Sequence, residues 1–203
     1  PHGQRDHPRD RSRDPAKLKA LSPEQEPQRL LPTFFVRLMV AAGVSDPGIL
    51  WDSLALAVSF AATFATAYVG SRFTFRSLGS WYAGIRKPAW APSGRTIGTI
   101  WSVLYFLMAV AAWLVWWAAG AVVVPLSLFA AQLALNAGWS WLFFGRRSPR
   151  AAFAEILVLW MFILATLVAF WTVSWVAGLL FMPYLVWVTF ASFVNLTLWR
   201  MNR

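Results

Sequence analysis

The sequence predicts an all-α fold, an integral membrane bundle of five transmembrane helices. Three observations lead there. From Leu50 onward, apolar runs of about 20 residues recur, the length that crosses a hydrocarbon core as helix. None of these runs carries the continuous charged face that a soluble helical bundle shows toward water. With 59% hydrophobic and 13% charged residues, the 203-residue chain also has too little polar surface to cover a soluble globule.

The elements follow in chain order, in two parts, 1–49 and 50–203. Pro1 to Gln28 is Pro-rich with interleaved charge, cannot bury enough apolar area to offset the entropy of ordering, and is expected to be disordered. Its acids, Asp6, Asp10, Asp14, Glu24 and Glu26, argue against a transit peptide. The following "LLPTFFVRLMVAAGV" is too short, and too interrupted by Pro32 and Arg37, to span, and is expected to lie on the membrane surface. The spans are Leu50 to Ser71, Thr96 to Ala118, Val124 to Phe144, Ala151 to Thr172 and Val176 to Trp199. Arg72, Arg76, Arg86, Lys87 and Arg95 follow the first, Arg146, Arg147 and Arg150 the third, and Arg200 and Arg203 end the chain. The connections after spans two and four have no Lys or Arg, so the loop after span one and the C-terminus are expected on the cytoplasmic side.

Composition excludes several chemistries. There is no cysteine, which removes disulfides, thiolate nucleophiles and Cys-ligated metal centres. Both histidines, His2 and His7, lie in the tail, and Glu155 is the only acid after Asp52, so neither a catalytic acid-base constellation nor a metal site is expected. A net charge of +10 could suggest nucleic acid, but the basic residues after position 71 cluster at the ends of apolar runs. That distribution fits anionic lipid headgroups, and no nucleic-acid partner is expected.

Polar side chains inside spans are costly unless paired or facing a cavity, which singles out Gln132, Asn136 and Asn195. Gln132, Asn136, Trp139 and Phe143 share one helical face of span three. Tyr184, Trp187, Ala191 and Asn195 do so on span five, and Trp101, Tyr105 and Met108 on span two. Three such faces converging would line one pocket, whereas taken singly the amides serve equally as interhelical glue and the aromatics as packing. Ala130, Ala134 and Gly138, at four-residue intervals, form a small-residue stripe that suits a homodimer seam as well as packing within the bundle.

Several motifs together resemble a known family. Trp81-Tyr82-Ala83-Gly84, Lys87-Pro88-x-Trp90-x-Pro92, Trp101-x-x-Leu104-Tyr105, "QLALNAGWSWLFFG" from Gln132 and "PYLVWVTFASFVN" from Pro183 are similar, in order, to those of the translocator protein family, also called tryptophan-rich sensory proteins or peripheral-type benzodiazepine receptors. The resemblance covers about Leu50 to Arg200 and implies five transmembrane helices around a hydrophobic pocket capped by the first loop. In that loop Pro88 and Pro92 restrict the backbone, while Trp81, Tyr82 and Trp90 supply apolar surface for a lid, with Arg86 and Lys87 at its edge. By motif, the pocket residues would be Trp101, Asn136, Trp139, Tyr184, Trp187 and Ala191. The resemblance further implies a receptor or transporter for tetrapyrroles such as protoporphyrin IX and haem, for sterols, or for benzodiazepine-type ligands, with porphyrin or haem as ligand and no obligatory cofactor. Light-dependent porphyrin degradation and sensing through protein partners are the alternatives it leaves. The chain departs from the family pattern at Ser93, where a second proline is common, at Gly98, and at Leu196, where the sterol pattern of animal members has tyrosine.

Overall fold

The computed structural model describes residues 47–203; the expected disordered tail and interfacial segment lie outside the described residues. The chain forms α1 (Pro47–Leu78), a single turn α2 (Trp81–Gly84), α3 (Gly94–Ala119), α4 (Val123–Ser140) continuing as a π-helical segment (Trp141–Gly145), α5 (Pro149–Val173) and α6 (Trp175–Met201). No strand occurs among the described residues. Five of the helices are long and apolar enough to cross a membrane, one for each predicted span. Residues 50–203 form one compact unit.

Local chemistry sets the helix ends. Ser93, Ser148 and Ser174 each accept a hydrogen bond from the backbone N–H three residues on, satisfying donors that the first turn leaves free. Pro149 follows Ser148 at the first helical position, where its missing N–H costs nothing. Gly120 ends α3 at φ 68°, a backbone setting that favours glycine, and its N–H returns to the Trp116 carbonyl. The predicted end of span one needs correction. Helix α1 runs on to Leu78 and carries Arg72 and Arg76 on its last turns, because no glycine or proline occurs between Ser71 and Gly79 and both exposed arginines can extend toward headgroups.

Lipid tails are as apolar as leucine, so the bundle is held by close packing and internal polar pairs. Phe129 stacks on Phe170 at 5.8 Å, and Phe181 meets both edge-on at 6.2 and 5.2 Å, in the half of the bundle near the Gly120 and Ser174 turns. Met108, Ala111 and Val115 of α3 are fully enclosed there. Trp117 and Trp175, exposed at helix ends in that half, suit the membrane interface. Helix α1 approaches α4 where a Cβ on Gly70 would lie 3.0 Å from Ser140 Oγ, and again where Phe73 meets Gly145. The stripe Ala130, Ala134 and Gly138 points away from this core. Both alanines are exposed, and nothing lies within 4 Å of a Cβ at Gly138.

Candidate functional site

The half of the bundle opposite the phenylalanine cluster is not filled. It holds a cavity of about 320 Å³ whose walls come from all five long helices and whose roof includes Tyr82 and Pro92 of the loop after α1. This volume lies at the lower end of the range for small-molecule sites.

Eight of the span residues singled out by spacing or motif line it: Trp101, Tyr105, Asn136, Trp139, Phe143, Trp187, Ala191 and Asn195. Tyr184 does not. Its ring is fully buried behind the wall, edge-on to Trp101 at 5.9 Å, and its hydroxyl supports Asn136. Gln132 and Met108 also lie deeper, with Gln132 Nε2 reaching the Met108 sulfur at 3.9 Å and Gln132 Oε1 without a partner.

The wall is held by an interhelical polar network. Tyr105 of α3 donates to Asn136 Oδ1 at 2.7 Å, and Asn136 Nδ2 donates to the Tyr184 hydroxyl at 2.9 Å, so one amide of α4 joins α3 to α6. Nearer the roof, Trp139 Nε1 donates to Asn195 Oδ1 at 3.0 Å, and Asn195 Nδ2 donates to the Pro149 carbonyl at 2.8 Å. These amides are therefore occupied within the protein. Trp187 differs, since its Nε1–H is enclosed with no hydrogen-bond partner. A buried donor left unpaired is costly, and on a cavity wall an acceptor from an occupant would satisfy it.

The π-helical segment adds a feature that periodicity did not reveal. Widening of the last turn lets Arg146 N–H reach the Trp141 carbonyl at 2.8 Å, and both Phe143 and Phe144 turn inward, 4.8 Å apart. Phe143 stacks on Trp139 at 5.2 Å and receives Trp81 at 5.7 Å and Tyr82 at 6.2 Å from the lid. Lys87 sits over the Tyr82 ring at 4.8 Å and donates to the Ala83 and Ile85 carbonyls, fastening the turn α2 on itself. Burial raises the Tyr82 hydroxyl above the ordinary phenol range, so it stays neutral at physiological pH. Beyond Pro88, Trp90 is largely exposed and meets the Phe190 ring of α6 edge-on at 6.1 Å.

Sequence reasoning missed two walls. Ala67, Gly70 and Thr74 of α1, at spacings of three and four, face the cavity, and Ile156 and Leu159 of α5 complete it. Among the described residues the lining contains no His, Cys, Asp or Glu. Glu155 lies one residue from that wall with both carboxylate oxygens enclosed and without a hydrogen-bond partner. The arrangement can enclose a flat apolar molecule between aromatic rings, with an unpaired indole N–H in the wall and no acid-base pair directed at it.

Comparison with known proteins agrees with this architecture. A profile of the TspO/MBR family matches residues 53–200. The chain is 40% identical over 152 residues, 73% of its length and 96% of the relative's, to the tryptophan-rich protein TspO of Chlorobaculum tepidum. It is 40% identical over 139 residues, 66% of its length and 82% of the relative's, to the translocator protein of Homo sapiens. To the tryptophan-rich sensory protein of Cereibacter sphaeroides it is 40% identical over 122 residues, 60% and 77% of the two chains. A multi-pass membrane protein with five spans and a roofed aromatic cavity, this chain belongs to the TspO/MBR family.

Proposed function

We propose that the cavity binds tetrapyrroles, protoporphyrin IX or haem, and that the protein acts as a membrane receptor or carrier for them. The observation that carries this reading is the roofed cavity with indole and phenol walls from α3, α4 and α6, in which Trp187 Nε1–H is enclosed and unpaired. Flat conjugated rings gain most from such walls, and a ring nitrogen or carboxylate edge would accept the free N–H. In nanodiscs, protoporphyrin IX is expected to quench tryptophan fluorescence saturably, and Trp187→Ala to weaken binding about tenfold. Linear quenching that does not respond to Trp187→Ala would rule the reading out.

The outward stripe Ala130, Ala134, Gly138 supports a homodimer seam through α4, because small residues that no helix among the described residues covers let a second copy approach closely. The chain has no cysteine, so Ala134→Cys introduces a single one. Oxidation in membranes is expected to give a covalent dimer, and a chain that stays monomeric would argue against this seam.

A further inference from the structure

The lid is fastened by the far end of the chain. Asn202, just past the end of α6, accepts a hydrogen bond from the Arg86 N–H at 2.9 Å through Oδ1, and its Nδ2 donates to the Arg86 carbonyl at 2.9 Å. One side-chain amide thus pairs with both polar groups of a single lid residue, as a neighbouring β-strand would. The same Nδ2 donates to the Leu198 carbonyl at 2.8 Å, one of the acceptors that the helix end leaves free. Arg203 is braced over the Trp199 ring at 4.5 Å, so the last turn that presents Asn202 is itself held.

Arg86 lies between the part of the lid that packs on the π-helical segment, Trp81 and Tyr82, and the outer part, Pro88 to Pro92. Each part meets the bundle through ring contacts, which slide more easily than paired hydrogen bonds break. Proline at 88 and 92 keeps the outer part stiff, so with the Arg86 peptide freed it would swing about Ile85, held back across that hinge by the flexible Lys87 side chain on the Ala83 carbonyl.

We propose that Asn202 is the latch of the lid, a positioning residue whose paired hydrogen bonds to Arg86 set how often the roof opens and so how fast a ligand enters and leaves the cavity. The proposal rests on the binding role given above and adds to it which residue governs exchange.

Asn202 is exposed, so its replacement leaves the fold intact. Two readouts on the full chain in nanodiscs separate the latch from the binding reading. Without ligand, Asn202→Ala is expected to raise amide hydrogen exchange in the lid peptide spanning 80–92 about tenfold, with the melting temperature almost unchanged. With protoporphyrin IX, it is expected to speed association and dissociation by a similar factor, leaving the equilibrium affinity within about threefold. Asn202→Asp keeps the acceptor for Arg86 N–H and loses both donors, and is expected to fall between. Unchanged lid exchange in Asn202→Ala overturns the latch, as does faster lid exchange with unaltered porphyrin kinetics. If the wild type binds no porphyrin, the binding reading fails separately, and the exchange data alone decide whether Asn202 holds the lid.

Discussion

Asn136→Leu is expected to lower the melting temperature in detergent by about 10 °C and to abolish high-affinity ligand binding. Leucine fills much of the same volume, so the loss reflects polar groups rather than a cavity. Among the described residues Asn136 is the only hydrogen-bond partner of the Tyr105 and Tyr184 hydroxyls, and both residues are buried between helices. Orphaning a buried hydroxyl costs about 1–3 kcal/mol. Membrane-embedded hydrogen bonds average nearer the low end, because the unfolded reference also finds partners, so about 2–4 kcal/mol is expected for the pair. The cause can be isolated. Adding Tyr105→Phe and Tyr184→Phe to Asn136→Leu removes the orphaned groups with it, and most of the stability is expected to return while binding stays impaired. Equal instability of the single and triple variants would show that the network does not hold this wall.

Sequence made the bundle legible because lipid allows few solutions. A backbone that cannot bond to water must be helical across the whole hydrocarbon core, and the apolar runs therefore appear at full length. The end of α1 was hidden for the converse reason, since Arg72 and Arg76 looked like loop charge while their stems let them remain on a helix. Amides and indoles inside spans are expensive enough to mark a face, and that is why Asn136, Trp139, Trp187 and Asn195 could be picked by spacing alone. Ala67, Gly70, Ile156 and Leu159 line the same cavity but carry no such mark, because small and aliphatic residues face lipid as readily as a pocket. Tyr184 shares the face of Trp187 by spacing, yet its hydroxyl is claimed by Asn136, a tertiary pairing that one-helix periodicity does not contain. The π-helical segment breaks the period itself, burying the adjacent Phe143 and Phe144 together. Asn202 lies beyond the last span, where no pattern connects it to a loop 116 residues earlier.

Gly178→Ala is expected to be among the most damaging single-methyl changes in the protein, about 2–3 kcal/mol, with Gly178→Val worse. The cause lies in the tight reversal between α5 and α6. Ser174 closes α5 by donating its N–H to the Phe170 carbonyl at 2.8 Å, and its own carbonyl accepts the Gly178 N–H at 3.1 Å, so the second helix starts directly against the first. A Cβ at position 178 would lie 2.6 Å from Trp171 Cε3, 2.9 Å from its Cβ and 3.0 Å from its Cα. A rotamer change could move the ring but not the Cα, so the two helices must separate. Separation would open the edge-to-face contact of Phe170 with Phe181, 5.2 Å apart and both fully buried, and propagate toward Tyr184 and the cavity wall. Gly138→Ala supplies the comparison, because nothing lies within 4 Å of the added methyl and helix propensity favours alanine. It is expected to leave the melting temperature of the monomer unchanged or slightly higher. Thermal unfolding of the two variants side by side in the same detergent decides the matter, and a Gly178→Ala protein as stable as Gly138→Ala would mean that α5 and α6 do not pack this closely.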